Sequence, residues 1–296
     1  MRAAPPRIER FPERATEIVA SLAQHRALSA EQVRRIHLPG SGERWSQRVL
    51  ARLRSAGFVD YAQATGAPQR LWFATPAGVD AALAATALDV EPRVLSSAEV
   101  AGPLQAHTVA VNEVGIRFLE AARERGDEFG PLAWRHEVAH PLNRGRGARR
   151  RNLIADAVLT YLRLTEEEVF VEQCFLELDR ATMSVDALTS ELGQYARLYG
   201  ARDERGEPLW GERYPIFPAV ICVLAGARPE LLERRRDTAL ALLRAKPEMS
   251  LAPEVTVRVC LAEDLYHRGP FAPIFADLRE PASSVDWLGS PVRSRR

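Results

Sequence analysis

Leu153-Ile-Ala-Asp-Ala-Val-Leu-Thr160, a polar break over 165–168, and Val169-Phe-Val-Glu-Gln-Cys-Phe-Leu-Glu-Leu-Asp-Arg180 read as two β-strands joined by a turn. Both runs are apolar, rich in branched side chains and bounded by charged or turn-forming residues. Each also carries acid where a buried strand should not. Asp156 interrupts the first, and Glu177 and Asp179 close the second. Alternation along a strand turns Glu177 and Asp179 to one face while Leu176 and Leu178 take the other. Carboxylates converging from neighbouring strands are costly to bury unpaired. A hard divalent cation bound through oxygen would offset that cost. Asp156, Glu177 and Asp179 are therefore expected to line a cation site, or the remains of one.

Working outward, a strand-like Leu132-Ala-Trp-Arg-His-Glu-Val-Ala-His140 precedes this pair. A basic turn over 143–151, with Arg146, Arg149 and Arg150, joins it to the Asp156 strand. That turn reads equally as a solvated loop or as a contact to a phosphate backbone. A helix over about 108–125 comes earlier, with a broad apolar face from Val109 to Leu119. Downstream come a helix over about 184–199, an apolar strand from Phe217 to Leu224, a helix over 229–244 and a strand over 255–261. Strands joined by a hairpin should be antiparallel, whereas the Phe217 strand, reached through a helical crossover, should have a parallel neighbour. The expected result is a mixed sheet with helices on its faces, spanning 104–282.

The N-terminal third has another character. Helices are expected over 16–26, from Ala30 to near His37, and over 43–55. Ser29-Ala-Glu-Gln32 has the pattern of a capping box at the start of the second. Gly57 suits a helix end, since glycine tolerates the left-handed conformation there. Phe58-Val-Asp-Tyr61 and Arg70-Leu-Trp-Phe-Ala74 flank Thr65-Gly-Ala-Pro68 as a hairpin. Thr75-Pro76 then opens a fourth helix, Thr as N-cap and Pro in the first turn. Three helices, a hairpin and a closing helix form the element order of a winged helix-turn-helix, expected over 12–88. Its third helix is the one such a fold lays in a major groove. Arg44, Arg48 and Arg52 recur along it one turn apart, and Arg70 opens the second hairpin strand. Double-stranded DNA is the expected partner, and docking of a protein partner is the other reading of this domain.

Composition narrows the class without choosing a partner. The 296 residues are 46% hydrophobic and 27% charged, with a formal net charge of +1, so any attraction to nucleic acid must be local. Cys174, Cys222 and Cys260 lie scattered in apolar runs without metal-site spacing and read as reduced core residues. No apolar run is long enough to span a membrane, and the first residues carry no signal-peptide core. A cytoplasmic protein with no membrane partner is expected. Lys246 is the only lysine, which removes almost every candidate for a catalytic lysine. His136 and His140 read as structural, and Tyr195 and Tyr199 as packing residues on an amphipathic helix.

Helix, three strands, helix and strand, with Asp156 on the second strand and Glu177 on the third, resembles the core plan of the PD-(D/E)xK nucleases. The whole chain more closely resembles the bacterial replication-relaxation family, linked to plasmids and mobile elements. The residues that carry this are Leu71-Trp-Phe-Ala-Thr-Pro-Ala-Gly78, His107-Thr-Val-Ala-Val-Asn-Glu113, Asp156, Phe175-Leu-Glu-Leu-Asp-Arg-Ala-Thr182, Tyr195-Ala-Arg-Leu-Tyr199 and Gly269-Pro-Phe-Ala-Pro-Ile-Phe275. The resemblance implies Mg²⁺ held by Asp156 and Glu177 and metal-assisted cleavage of a phosphodiester, with Asp179 and Arg180 completing the site. The sequence departs from that plan where it matters. Asp179 stands where the nuclease pattern has lysine, and Glu191 stands where relatives offer one from the next helix. Arg180 can stabilise phosphate charge but cannot accept a proton near neutral pH. Two functions follow: a Mg²⁺-dependent nickase acting in replication or DNA relaxation, or a non-catalytic winged-helix regulator or replication accessory protein. In the second, a degenerate nuclease-like domain would serve homodimerisation or docking.

Overall fold

The computed structural model describes residues 14–63, 69–86, 88, 92–102, 105–144 and 151–290. They belong to two compact units. The first runs to Leu119 and includes Phe129–Arg135, and the second comprises Glu120–Glu128 and the chain from His136 onward. Sequence reading starts the second domain at 104. In the structure most of the long helix that follows belongs with the first unit.

In the first unit, α1 (Arg14–Gln24) buries Ile18, Val19 and Leu22 along one stripe. The two-residue strand β1 (Leu28–Ser29) leads into α2 (Ala30–His37). The Ser29 hydroxyl accepts from the Gln32 amide at 3.0 Å while the Gln32 side chain takes the Ser29 amide, so the expected capping box is formed. Helix α3 (Glu43–Ser55) ends before Gly57, whose φ of 82° lies in the left-handed region. Strands β2 (Val59–Ala62) and β3 (Leu71–Ala74) pair antiparallel, Tyr61 opposite Trp72. Thr75 caps α4 (Pro76–Ala85), where a Cβ on Gly78 would sit 1.9 Å from the Phe58 carbonyl, so glycine is required. The order of elements is that of a winged helix. Sequence reading misses β1, which pairs with β3 and makes the sheet three-stranded. Two residues are too few to show a period.

A short helix, α5 (Ser97–Val100), precedes α6 (Gln105–Arg125). Asn112 of α6 is fully buried. Its amide donates to the carbonyls of His25 (3.1 Å) and Ala27 (2.9 Å), and its Oδ1 accepts from the Trp134 indole (3.1 Å). Those carbonyls flank Arg26, a non-glycine residue held at φ 69°. Next to Asn112, Glu113 pairs with Arg35 at 2.6 Å. The His107–Glu113 motif thus ends in two residues that fasten the first unit. Asn112→Ala would leave the Ala27 carbonyl and the Trp134 indole N–H without this partner, while the His25 carbonyl keeps the Ala27 amide at 2.7 Å. It is expected to destabilise the protein by about 2 kcal/mol. An unchanged urea-unfolding midpoint would refute that role.

The second unit is built on a seven-stranded sheet in the order β10-β9-β8-β7-β6-β5-β4. Its strands are β4 (Trp134–Pro141), β5 (Asn152–Leu164), β6 (Val169–Asp179), β7 (Ala219–Leu224), β8 (Val257–Leu261), β9 (Phe275–Asp277) and β10 (Ser284–Val285). β5 and β6 are antiparallel, and β6, β7 and β8 are mutually parallel, so the sheet is mixed as expected. The parallel steps are made through α7 (Val185–Gly200) and α8 (Pro229–Arg244), which bury Leu188, Leu192, Tyr195, Leu240 and Leu243 in a core with Phe175 and Val220. Beyond α8 come α9 (Pro247–Ser250) and, after β8, α10 (Ala262–Arg268). The antiparallel extension through β9 and β10 is not legible in the sequence, because three- and two-residue strands carry no pattern. Cys174, Cys222 and Cys260 are buried and unbridged, as the sequence leads one to expect.

Candidate functional site

In the first unit the candidate surface is α3. Ser46, Val49, Leu50 and Leu53 point inward and fix the helix's rotation. Arg44, Arg48 and Arg52 are all exposed, and spacing of four residues sets them along one face. Among the described residues no carboxylate pairs with any of the three. Arg54, on the neighbouring face, is tied by its Nε to Asp60 at 2.8 Å. Arg70 is exposed, and its guanidinium carbon lies 4.5 Å from the centre of the Tyr61 ring. Arg146, Arg149 and Arg150 lie outside the described residues.

In the second unit the strands bring Asp156 and Glu177 together. The β5–β6 ladder runs from Leu164 opposite Val169 to Ala157 opposite Leu176, one step short of the two acids. There the Asp156 carboxylate takes the Leu178 amide at 2.9 Å. Glu177, only 3% exposed, accepts from the Tyr195 hydroxyl of α7 at 2.5 Å. Burial pushes the Glu177 carboxyl well above the ordinary carboxylate range. The charge of Asp156 raises it further, the Tyr195 bond opposes the shift, and Glu191 of α7 adds to it. Burial and the Glu177 carboxylate also push the Tyr195 hydroxyl upward, so it remains a donor.

Asp179 does not join them. It lies on the same strand face, but its carboxylate forms an ion pair with the Arg235 Nε of α8, both groups nearly buried. Its other oxygen accepts from the Ala181 amide at 3.0 Å in the turn that ends β6. Arg235 continues to the Met183 carbonyl at 2.8 Å, so the ion pair pins α8 to the start of α7. Arg180 lies in that turn and forms no ion pair with Asp156 or Glu177. Lys246 packs against Gly193 of α7 instead. Two of the three acids expected at a common point therefore meet, and the third braces the helices.

That arrangement does not fit Mg²⁺ well. Magnesium asks for open octahedral positions near ionised oxygens. Asp156 and Glu177 each have an oxygen engaged, by the Leu178 amide and the Tyr195 hydroxyl. Among the described residues no group of three or more His, Cys, Asp or Glu side chains could hold a metal ion. His140 is no ligand candidate either: its Nε2 lies 2.7 Å from the Tyr214 hydroxyl, with its ring against Phe175. Between it and His136, Glu137 takes φ 46°, which breaks the alternation that would align them.

Sequence reasoning misses Tyr195 and Arg235 as partners of the acids. A buried tyrosine needs somewhere to place its hydroxyl, and that is the one signal for Tyr195 in the chain. Nothing local marks Arg235, which lies 56 residues from Asp179.

A family model described as replication-relaxation matches residues 19–208 of the chain. No curated protein and no solved structure matches it. No described helix is long and apolar enough to cross a membrane.

Proposed function

Since the chain belongs to the replication-relaxation family, we propose that it serves replication or relaxation of mobile-element DNA by binding the duplex through α3 of its first unit. The observation that carries this is the row of Arg44, Arg48 and Arg52, exposed on one helical face with no carboxylate partner among the described residues. Arginines held ready in this way can displace counterions from phosphates and pair with guanine edges. In the same reading the acids of the second unit are structural: Asp179 braces α8, and the half-buried Asp156 and buried Glu177 close the end of the β5–β6 ladder.

The alternative, Mg²⁺-dependent nicking by Asp156 and Glu177, draws on their meeting at one point. The oxygens already engaged by the Leu178 amide and the Tyr195 hydroxyl, and the withdrawal of Asp179 into its ion pair with Arg235, weigh against it. Both readings are tested on the intact protein with supercoiled plasmid and linear duplex. Binding that weakens steeply with salt, and plasmid left supercoiled in Mg²⁺ or Mn²⁺, is the expected result. Absence of duplex binding would reject the proposal. Metal-dependent nicking lost in both Asp156→Ala and Glu177→Ala would replace it with the nickase.

A further inference from the structure

A cleft of about 530 Å³ lies in the first unit between the end of α3 and the β2–β3 hairpin, lined by Arg54, Asp60, Tyr61, Arg70 and Thr75 among others. Its lining includes the Tyr61 ring. The Arg54 and Arg70 guanidinium carbons lie 4.6 and 4.5 Å from the ring centroid, and the Trp72 ring is tilted against it at 5.2 Å. The two arginines differ in what else they hold. Arg54 is bonded to Asp60, whose same oxygen accepts the Tyr61 amide at 2.9 Å, so Asp60 fixes both helix end and strand. Arg70 has no carboxylate partner among the described residues and lies against the aromatic face.

We propose that this cleft is a second phosphate-contacting patch for duplex DNA, and that Tyr61 is its positioning residue. A guanidinium laid on an aromatic face keeps its N–H edge free for hydrogen bonding while its side chain loses the freedom it has in water. Arg70 is thus ordered before any partner arrives, and its donors remain available to a backbone oxygen. Arg54, although exposed, is already paired with Asp60 and lies over the same ring. The inference rests on the reading that the first unit binds duplex DNA. It goes beyond that reading in assigning an ordering role to a tyrosine with no charge of its own.

The test measures duplex affinity of the intact protein against salt for four variants: Tyr61→Leu, Tyr61→Phe, Arg70→Ala and the joint alanine replacement of Arg44, Arg48 and Arg52. Arg70→Ala should lower the slope of log affinity against log salt by about one. Tyr61→Leu, which removes the ring, should weaken binding by roughly tenfold and lower the slope in the same sense. Tyr61→Phe keeps the aromatic face and should bind like the unaltered protein. A general packing defect would show as a lowered melting temperature with an unchanged slope, and would overturn the proposal. So would Tyr61→Phe as weak as Tyr61→Leu, or Arg70→Ala without effect while the α3 variant is weakened. If the α3 variant itself binds normally, the underlying reading of α3 fails instead.

Discussion

Replacing Arg44, Arg48 and Arg52 together by alanine is expected to weaken duplex binding about a hundredfold near physiological salt. Each arginine that neutralises a phosphate releases counterions, contributing about 0.9 to the salt slope, so three should remove nearly three from it. The folded state should scarcely notice. All three side chains are exposed and without ion pairs among the described residues, and alanine is the best helix former. That contrast makes the experiment decisive: melting unchanged or slightly raised, affinity collapsed, slope flattened. If affinity falls while the slope is kept, the arginines read bases and do not neutralise phosphates. If neither changes, α3 does not meet the duplex.

The chain alone singles out α3, yet it discloses only half of the acidic centre, and the cause is the range of the interactions involved. The end of α3, the capping box at Ser29, the stop at Gly57 and the start at Thr75–Pro76 are written in residues within four positions of one another and are readable, whereas α1 and α6 each start two or three residues earlier than expected and α5 lies in a stretch that reads as linker. The face that α3 turns outward follows from the spacing of Val49, Leu50 and Leu53. The mixed sheet is readable because crossover length dictates strand direction. The convergence of Asp156 on Glu177 also follows, since a tight hairpin fixes its register. Asp179 escapes the same reasoning. Its partner, Arg235, arrives from α8 after two crossovers, and no local pattern reports it. Strand alternation states which face a side chain takes, not which neighbour waits there. The division of the chain is displaced for a related reason. Asn112 and Glu113 make α6 part of the first unit through bonds to residues about 80 positions earlier.

Glu177→Gln is expected to stabilise the protein at pH 8, by up to about 1.4 kcal/mol for each pH unit between 4.5 and the raised value of the Glu177 carboxyl. The sign follows from proton binding. Burial and Asp156 raise the Glu177 carboxyl above its ordinary value of 4.5, so between 4.5 and the raised value the folded protein holds a proton that the unfolded chain has lost. Stability must therefore fall as pH rises through that window, by at most about 1.4 kcal/mol per pH unit for one proton. Below 4.5 both states are protonated and the penalty vanishes. Glutamine removes the titration while its carbonyl still accepts from Tyr195 and its amide can donate toward Asp156. The variant's stability should therefore lie level across that window, and the two curves should meet near pH 4.5. The same pair of proteins judges the metal. An ion that binds only the folded state raises its stability, so a Mg²⁺ site built on Glu177 would lift the melting temperature of the unaltered protein and not of the variant. Equal responses to Mg²⁺ are expected. A rise confined to the unaltered protein, together with a parallel pH dependence of the two, would mean that Glu177 is ionised in the fold and that the acids at the end of the β5–β6 ladder hold a cation.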